Sequence, residues 1–325
     1  MDMKAVYVAG TRAAPKITLN TSIPRPIPEK DEVLIKVHAA SITADELTWP
    51  ELWEDSPVRI PGHDISGVVH SLGPNYKGPL SVGDAVTAMI GAKRGMGQAE
   101  YAISTAEEIA PKPATISHAQ ASALPIPVLT AWEAIFQHAK LKSNMRLLVT
   151  GASGAVGAIT VQLAHQLVGA EIIALASPQH HGMLKELGAS QVLDYNTPDW
   201  EDSVKNVDVV LDTVGDSVLA KTWKTVKSDG IIITVAEPPS AWEYGKGKPE
   251  ELSSHPNVRW LFFIVSSRAE ILAKSAELLD SGRIKPLPIE VFPADKAVEA
   301  WEFAAQRGRK GKVVIEFVSG ITVPL

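Results

Sequence analysis

Three glycines at regular spacing are the residues of this sequence whose types and positions point most directly to chemistry. They stand in the segment 147–157, Leu-Leu-Val-Thr-Gly-Ala-Ser-Gly-Ala-Val-Gly, which runs from an apolar strand into a predicted helix over 158–168. The first glycine permits a tight turn, the second lets backbone N–H groups approach an anion, and the third allows close helix–strand packing. The loop therefore predicts a site for a nucleotide pyrophosphate, although a plain structural turn is the alternative. The predicted contacts are Gly151, Ser153, Gly154, Ala155, Val156 and Gly157.

The next predicted strand, 171–177, ends without a carboxylate. Sites for NAD usually place an Asp or Glu about 20 residues past the glycines, where it binds the ribose hydroxyls. Here residues 176–181 read Ala-Ser-Pro-Gln-His-His, so a ribose 2′-phosphate would meet no negative charge. We predict that Ser177, His180 and Tyr195 contact this phosphate, which favours NADPH over NADH as the cofactor. The alternative is an ordinary Ser-Pro turn followed by two solvated histidines.

The elements around the glycine loop alternate between strands and helices. Strands are predicted over 171–177, 191–195, 207–214 and 230–236, with helices over 181–187 and 217–226. The runs Val-Asp-Val-Val-Leu-Asp and Gly-Ile-Ile-Ile-Thr-Val are typical of strands that are buried on both faces. This pattern predicts an α/β fold with a doubly wound parallel sheet of the Rossmann type.

The first part of the chain is instead rich in predicted strands, at 4–9, 32–39 and 65–72, separated by Pro- and Gly-containing turns. Helices are predicted at 267–281 and 293–305, and a last strand, 312–317, is expected to rejoin the first domain. A chain of 325 residues exceeds the usual size of one core. We therefore predict a β-rich first domain, 1–124 completed by 284–325, and a nucleotide-binding domain, 125–283.

Composition narrows the classes of function. The net charge of −6 supplies no overall basic field, so we expect no nucleic-acid partner. No apolar run reaches the roughly 18 residues of a membrane span, and the first residues read as a strand, so we expect no membrane association and a cytoplasmic location. The sequence contains no cysteine, which excludes disulfides, thiolate nucleophiles and cysteine-bound zinc.

Several motifs along the chain resemble the medium-chain dehydrogenase/reductases, and among them the zinc-independent quinone oxidoreductases and enoyl reductases. They are Pro-Gly-His-Asp-Ile-Ser-Gly-Val-Val at 61–69, Val-Gly-Asp-Ala-Val at 82–86, Gln-Ala-Glu-Tyr at 98–101, Ala-Leu-Pro at 123–125, Thr-Ala-Trp at 130–132, the glycine loop, Leu-Gly-Ala at 187–189 and Gly-Lys-Val-Val at 311–314. The resemblance implies a GroES-like catalytic domain beside the Rossmann NADPH-binding domain.

The resemblance also bears on metal binding. Zinc-dependent members hold catalytic zinc through a Cys, a His and a further ligand, and the matching positions here are Ile42, His63 and Ile126. Two of these three side chains cannot coordinate a metal, whereas a catalytic zinc normally has three protein ligands. We therefore predict no metal site. For His63 two interpretations stay open, a hydrogen-bonded turn residue and a polar contact to substrate.

A reductase without a Lewis acid needs a substrate that requires little carbonyl activation. A planar electrophile such as a quinone or an enone fits, because hydride adds at carbon and hydrogen bonds or water can meet the resulting charge. In the segment matched to the family's catalytic region, the candidate residues are Thr43 and Asp45, with Trp49 and Trp53 as flat walls. The alternative for each tryptophan is a position in the core.

By the same resemblance, further residues are expected to contact the cofactor: Thr130, Thr213, Ala236, Phe263 and Lys312. The loop 237–255 is long and polar, and it is interpreted either as a mobile lid or as a surface insertion.

Two other functions stay open from the sequence. One is an auxiliary enoyl reductase that acts on a carrier-bound intermediate, and the other is a non-catalytic NADPH-binding relative with a structural, sensor or RNA-binding role. The apolar run 258–265, Val-Arg-Trp-Leu-Phe-Phe-Ile-Val, predicts a last strand whose free edge would pair in a homodimer. The alternative is that the helix 267–281 covers this edge.

Overall fold

The computed structural model describes residues 1–54, 58–236, 249–306 and 308–318. These residues belong to two units, the first made of Met1–Ile126 with Ser266–Leu325 and the second of Pro127–Val265. The domain ranges predicted from the sequence differ from these units mainly in the segment 266–283, and they stay a proposal about folding domains. Of the proposed lid, residues 237–248 lie outside the described part of the chain.

The first unit opens with a run of strands and two short helices. The strands are β1 (Asp2–Thr11), β2 (Ala14–Pro24), β3 (Val33–Ser41), β4 (Asp64–Leu72), β5 (Ala85–Met89), β6 (Tyr101–Ser104) and β7 (Ile109–Pro111). The helices are α1 (Pro50–Trp53) and α2 (His118–Ser122). A capping box starts α2, because the Ser117 side chain accepts from the Gln120 amide while the Gln120 side chain accepts from the Ser117 amide.

The second unit is a parallel sheet with helices between its strands. Its strands are β8 (Arg146–Val149), β9 (Glu171–Leu175), β10 (Gln191–Leu193), β11 (Val207–Asp212), β12 (Val226–Thr234) and β13 (Arg259–Phe262). Its helices are α3 (Pro125–Trp132), extended by a π-helical segment at Glu133–His138, then α4 (Ala155–Leu163), α5 (His181–Glu186) and α6 (Asp216–Thr222). The strand order is β10-β9-β8-β11-β12-β13, the order typical of dinucleotide-binding sheets.

The chain then completes the first unit. Helices α7 (Ala269–Asp280) and α8 (Ala297–Ala304) flank β14 (Ile289–Pro293), and β15 (Lys312–Glu316) follows. The sheet order is β14-β15-β3-β4-β5-β7, with β6 also paired to β3. β15 is antiparallel to β3 and parallel to β14. The predicted α/β class, with a strand-rich first part and a doubly wound parallel sheet, is confirmed.

Separate apolar cores hold the two sheets. In the first unit, fully buried Val33, Ile35 and Val37 of β3 pack with Ile65 and Val86 of the neighbouring strands. In the second, Leu148, Ile173, Val210 and Ile232 form a row across four parallel strands, closed on one side by Trp223. Among the described residues, none of the helices combines the length and the apolar character that crossing a membrane requires.

Several strands of the first unit were not predicted from the sequence, namely β2, β5, β6, β7 and β14, and β2 shows why. β2 reads Ala-Pro-Lys-Ile-Thr-Leu-Asn-Thr-Ser-Ile-Pro, and within the described ranges it pairs only with β1, in a two-stranded sheet. Most of its side chains are exposed or half-buried, because no second strand among the described residues covers its other edge. An edge strand of this kind tolerates prolines and lacks the apolar alternation that predicts a strand.

A pair of histidines sits between β3, β4 and α2. The His38 and His118 rings are 4.3 Å apart, and His118 Nδ1 lies 2.8 Å from Ser66 Oγ. Because the Ser66 hydroxyl donates to the Val86 carbonyl, His118 Nδ1 must donate to Ser66. Burial, with His38 and Lys112 nearby, lowers the pKa of His118 to about 4.

This lowered pKa predicts an acid-sensitive fold. Above pH 6.5 His118 is neutral in both the folded and the unfolded protein. Between pH 6.5 and about 4, His118 binds a proton in the unfolded chain but not in the folded protein. The free energy of unfolding therefore falls as the pH falls through this range. After a discount for partial exposure, we expect His118 to account for on the order of 1–2 kcal/mol of this loss. When the free energy of unfolding is measured with urea between pH 7.5 and 4.5, it should fall less with falling pH for His118→Gln than for wild type. An unchanged pH dependence for His118→Gln, or the same smaller fall in the exposed-residue control His70→Gln, would contradict the prediction.

Candidate functional site

The carboxyl-terminal ends of the strands in the second unit form the edge at which parallel sheets bind ligands. Strand order reverses at β8, so the loop after β8 and the loop after β11 lead to opposite faces and leave a crevice between them. The glycine loop follows β8, and Thr213 follows β11. The structure therefore brings these two predicted cofactor contacts together at the topological switch point.

The glycine loop has the geometry of a phosphate cradle. Gly151 has a φ of +58°, and a Cβ there would collide with the Thr213 hydroxyl. A Cβ on Gly157 would lie 2.5 Å from the Gly151 carbonyl oxygen and 2.6 Å from Ala152 Cα, so only glycine allows α4 to pack this closely on the loop. Exposed Gly154 caps α4, and the first-turn amides beyond it have no acceptor within the helix. The residues present therefore fit an anionic nucleotide.

Three other predicted contacts of the second unit, Thr213, Ala236 and Phe263, follow strand ends at the same edge. The Thr213 hydroxyl donates to the Thr150 carbonyl at 2.9 Å, and its amide donates to the Thr150 hydroxyl at 3.0 Å. The Ala236 amide donates to the Thr234 hydroxyl at 3.3 Å, just past β12. Phe263 follows β13 and contacts His138, with 4.8 Å between the ring centres. Thr130 is buried within α3.

The residues predicted to bind a 2′-phosphate follow β9 and β10. These strands pair with Leu175 opposite Leu193, so Ser177 and Tyr195 leave the sheet at the same edge. The Ser177 side chain makes no capping hydrogen bond to the short helix that follows it, and the Tyr195 side chain is 48% exposed. His180 Nε2 lies 3.2 Å from Nε2 of the Gln179 side chain, and the Gln179 nitrogen must be the donor. Their contact with a phosphate stays a prediction.

In the first unit, His63 is buried between two oxygen atoms of the protein. Its Nδ1 lies 2.9 Å from the Ile90 carbonyl oxygen, which can only accept, so this nitrogen carries a proton. Its Nε2 lies 3.4 Å from Glu46 Oε1, and the Trp49 ring is centred 5.3 Å from the imidazole. Glu46 and His63 are therefore close neighbours in the interior of the first unit.

Glu46 is a site residue that sequence reasoning missed. It is 1% exposed, and its Oε1 accepts from the Gly62 amide at 2.5 Å. Its other oxygen has no hydrogen-bond partner among the described residues. Burial raises the pKa of this carboxyl, and His63 and the Gly62 amide offset part of the rise. The only sequence signal was an acidic residue next to Asp45 in a stretch that otherwise resembles the family's catalytic segment.

Lys312 pairs with Asp64 in the interior of the first unit. Lys312 Nζ lies 3.1 Å from Asp64 Oδ2, and the Ile126 amide donates to Asp64 Oδ1 at 2.9 Å. Burial raises the pKa of Asp64, and Lys312 offsets part of this rise. The predicted cofactor contact Lys312 therefore already has an anionic partner that fixes its position.

The residues at the family's zinc positions do not fit a catalytic zinc. Ile42 packs in an apolar core, and Ile126 contributes a backbone amide to Asp64. Both ring nitrogens of His63 are directed at protein oxygens. Within the described ranges, no group of three or more His, Asp or Glu side chains could hold a metal ion.

The remaining catalytic candidates surround Glu46 in sequence. Asp45 Oδ2 accepts from the Trp49 indole at 3.1 Å, which fixes the ring beside His63. The Trp53 indole donates to the Leu47 carbonyl at 2.9 Å, and the Arg59 guanidinium lies 5.0 Å from its ring centre. Thr43 is half-buried, and its carbonyl accepts from the Glu46 amide. Asp45, Trp49 and His63 thus lie together. A substrate contact for the candidates Thr43, Asp45, Trp49 and Trp53 stays a prediction.

Two family models match separate parts of the chain. One, described as an alcohol dehydrogenase GroES-like domain, covers residues 29–114. The other, described as a zinc-binding dehydrogenase, covers residues 187–315. The first match confirms the GroES-like expectation for the first domain.

Comparison with individual proteins gives matches over nearly the whole of this chain. A 2-methylene-furan-3-one reductase of Solanum lycopersicum is 33% identical over 97% of this chain and 79% of its own length. An NADPH-dependent alkenal/one oxidoreductase of Arabidopsis thaliana, a chloroplast protein, is 30% identical over 97% and 79%. The structure of a quinone oxidoreductase from Coxiella burnetii superposes with a TM-score of 0.84 at 28% identity, covering 98% of this chain and all of the other.

Proposed function

The chain belongs to the medium-chain dehydrogenase/reductase superfamily, and we propose that within it the protein is an NADPH-dependent, zinc-independent oxidoreductase. Its substrate class is a quinone or an α,β-unsaturated carbonyl compound. The glycine loop at the switch point is the observation that carries the proposal, because its close backbone approach and the free first-turn amides of α4 suit a nucleotide pyrophosphate. Similarity to an alkenal/one oxidoreductase and to a quinone oxidoreductase supports the substrate class.

The proposed preference for NADPH depends on the strand ends beyond β9 and β10. Ser177 stands where NAD-binding sheets carry a carboxylate, and its hydroxyl is not used in a helix cap. Half-buried His180 and exposed Tyr195 add a ring nitrogen and a hydroxyl at the same edge. These groups donate hydrogen bonds to a 2′-phosphate without repelling it.

The proposed chemistry assigns most catalytic work to positioning. When bound, NADPH supplies a hydride from its nicotinamide ring. The glycine loop and the Thr213 turn hold the nucleotide, while Trp49, fixed by Asp45 and His63, offers a flat apolar surface to a planar substrate. The Glu46–His63 pair lies buried beside that surface, with the imidazole ring next to the Trp49 ring. Lys312, held by Asp64, supplies a fixed positive charge in the same unit.

A substrate panel tests the function. NADPH absorbance should fall with a quinone or an enone as acceptor, and enoyl thioesters included in the same panel identify a carrier-type substrate. Dialysis against a chelator should leave the rate unchanged, because the zinc positions carry Ile42 and Ile126. The proposal is wrong if none of these acceptors oxidises NADPH, or if the protein instead oxidises a simple alcohol and needs added zinc to do so.

We also propose that the protein is a homodimer formed through β13. This strand pairs with β12 on one side, and among the described residues no strand pairs with its other side. The residue two positions beyond it, Ile264, is 56% exposed. An apolar strand edge of this kind favours pairing with a twofold-related copy.

Sedimentation at micromolar concentration measures the oligomeric state. Wild type should show about twice the chain mass, and Ile264→Glu should shift it towards a single chain by placing like charges across the interface. Val298→Glu, at another exposed apolar residue in the first unit, is the matched control and should stay dimeric. A monomeric wild type would reject the proposed dimer.

A further inference from the structure

One buried carboxylate connects three strand ends at the edge proposed to bind the nucleotide. Asp212 is the last residue of β11 and is fully buried. Its Oδ1 accepts from the Thr150 hydroxyl at 2.6 Å and the Val214 amide at 3.3 Å. Its Oδ2 accepts from the Gly215 amide at 3.0 Å and the Thr234 hydroxyl at 2.8 Å.

The network continues one bond further on each side. The Thr150 hydroxyl, which donates to Asp212, accepts from the Thr213 amide. The Thr234 hydroxyl, which also donates to Asp212, accepts from the Ala236 amide. Asp212 thus sets the path of the chain at the ends of β8, β11 and β12, including two residues predicted to contact the cofactor.

We propose that Asp212 is a positioning residue for the nicotinamide half of the bound dinucleotide. The inference rests on the proposed function, since it assumes that the dinucleotide binds along this edge. Asp212 fixes the turns after β8, β11 and β12, whereas the residues proposed for the adenosine phosphate follow β9 and β10. A change at Asp212 that moves only the turn after β11 should therefore weaken binding of the whole dinucleotide and spare a ligand that contains only the adenosine end.

The substitution Asp212→Asn isolates this role by hydrogen-bond direction. The hydroxyls of Thr150 and Thr234 can turn and accept from the new amide group. The backbone amides of Val214 and Gly215 cannot reverse, and each faces a different oxygen of Asp212. Whichever way the asparagine is oriented, one amide of the turn after β11 loses its acceptor, so this turn must move.

A matched control lies on the same strand. Asp208, near the amino end of β11, accepts from the Arg146 amide at 2.8 Å and pairs with Lys227 at 2.5 Å. Asp208→Asn makes the same chemical change to a partly buried acceptor at the opposite edge of the sheet. It should lower the melting temperature without changing either ligand affinity.

Calorimetric titration with two probes, NADPH and 2′,5′-ADP, tests the proposal. We expect Asp212→Asn to raise the Kd for NADPH at least tenfold while the Kd for 2′,5′-ADP stays within twofold of wild type. An unchanged Kd for NADPH, or equal weakening of both probes, overturns the proposal. Wild type that binds neither probe would overturn the proposed function and this inference with it.

A second pair of variants keeps the test decisive if Asp212→Asn does not fold. Thr234→Val removes the hydroxyl that joins Asp212 to Ala236, and Thr234→Ser keeps it. Thr234→Val should raise the Kd for NADPH about threefold to tenfold, whereas Thr234→Ser should keep the Kd close to that of wild type. Equal affinities for the two variants would overturn the proposal.

Discussion

Replacing Gly154 with aspartate should weaken NADPH binding roughly a hundredfold or more, and reduce turnover with it, while leaving the protein folded. Gly154 is exposed, has ordinary helix-cap dihedral angles, and lies at the start of α4, where the pyrophosphate is proposed to approach. An aspartate there places a negative charge against a second negative charge and fills the space that the ligand needs. We expect a loss of about 3 kcal/mol or more, a roughly hundredfold rise in Kd.

The matched control is Gly154→Ala. A Cβ at this position meets only the Gly151 carbonyl oxygen, at 3.2 Å, so alanine can be accommodated with a small adjustment. Alanine adds bulk without charge, and it should retain at least tenfold tighter NADPH binding than aspartate. Fluorescence titration with NADPH and thermal unfolding of both variants measure the two effects. Normal NADPH affinity in folded Gly154→Asp would remove the glycine loop from the proposed site.

The second large effect is expected at the end of β9. Ser177→Asp restores the carboxylate that NAD-binding sheets carry, and it should repel the 2′-phosphate by on the order of 1–3 kcal/mol. This corresponds to a roughly 5- to 150-fold weaker NADPH complex. NADH has no phosphate at this position, so its affinity should stay the same or rise as the new carboxylate binds the ribose hydroxyls.

A charge-matched control separates local contact from general repulsion. Gln191→Asp adds the same charge at the exposed amino end of β10, away from the carboxyl edge of the sheet, and should change neither affinity by more than twofold. Calorimetry with both nucleotides on all three proteins gives the comparison. Tighter binding of NADH than NADPH by wild type would refute the proposed cofactor preference.

The second unit was the more predictable part of the fold. Its strands are buried on both faces, so runs such as Val-Asp-Val-Val-Leu-Asp are near-continuous and the predicted 207–214 corresponds to β11. The predicted helix at 181–187 corresponds to α5, one residue shorter. In the first unit, the residues of β14 are exposed or half-buried. This strand was not predicted, and its last residue, Pro293, was predicted to start a helix. Strands at the edge of a sheet give no periodic signal because only part of their surface meets a core.

The same distinction separates the site residues that were predicted from those that were not. The three glycines of the loop lie within seven consecutive residues, 151–157, and their spacing alone indicates a strand, a turn and a helix. Glu46 is a site residue because it contacts Gly62 and His63. These two residues lie 16 and 17 positions further along the chain, after α1, so the sequence around Glu46 does not indicate the contact. Asp212 stands at the end of an apolar run, and from the sequence it was interpreted only as part of a buried strand. Its four hydrogen-bond donors come from the ends of three different strands, so no local sequence pattern indicates its role.

The pairing of β15 with β3 determines when each unit can be completed during synthesis. The second unit is one continuous segment, Pro127–Val265, so its sheet can form as soon as that segment leaves the ribosome. The sheet of the first unit must wait, because β3 lies near the start of the chain and its neighbour β15 is the last strand described. Until then, residues 39–41 of β3 lack their β15 neighbour and are open to other nascent chains, whereas residues 33–36 already have β6 as a partner. We therefore expect the Rossmann unit to fold first and a ribosome-bound chaperone to be needed chiefly by the earlier-made half.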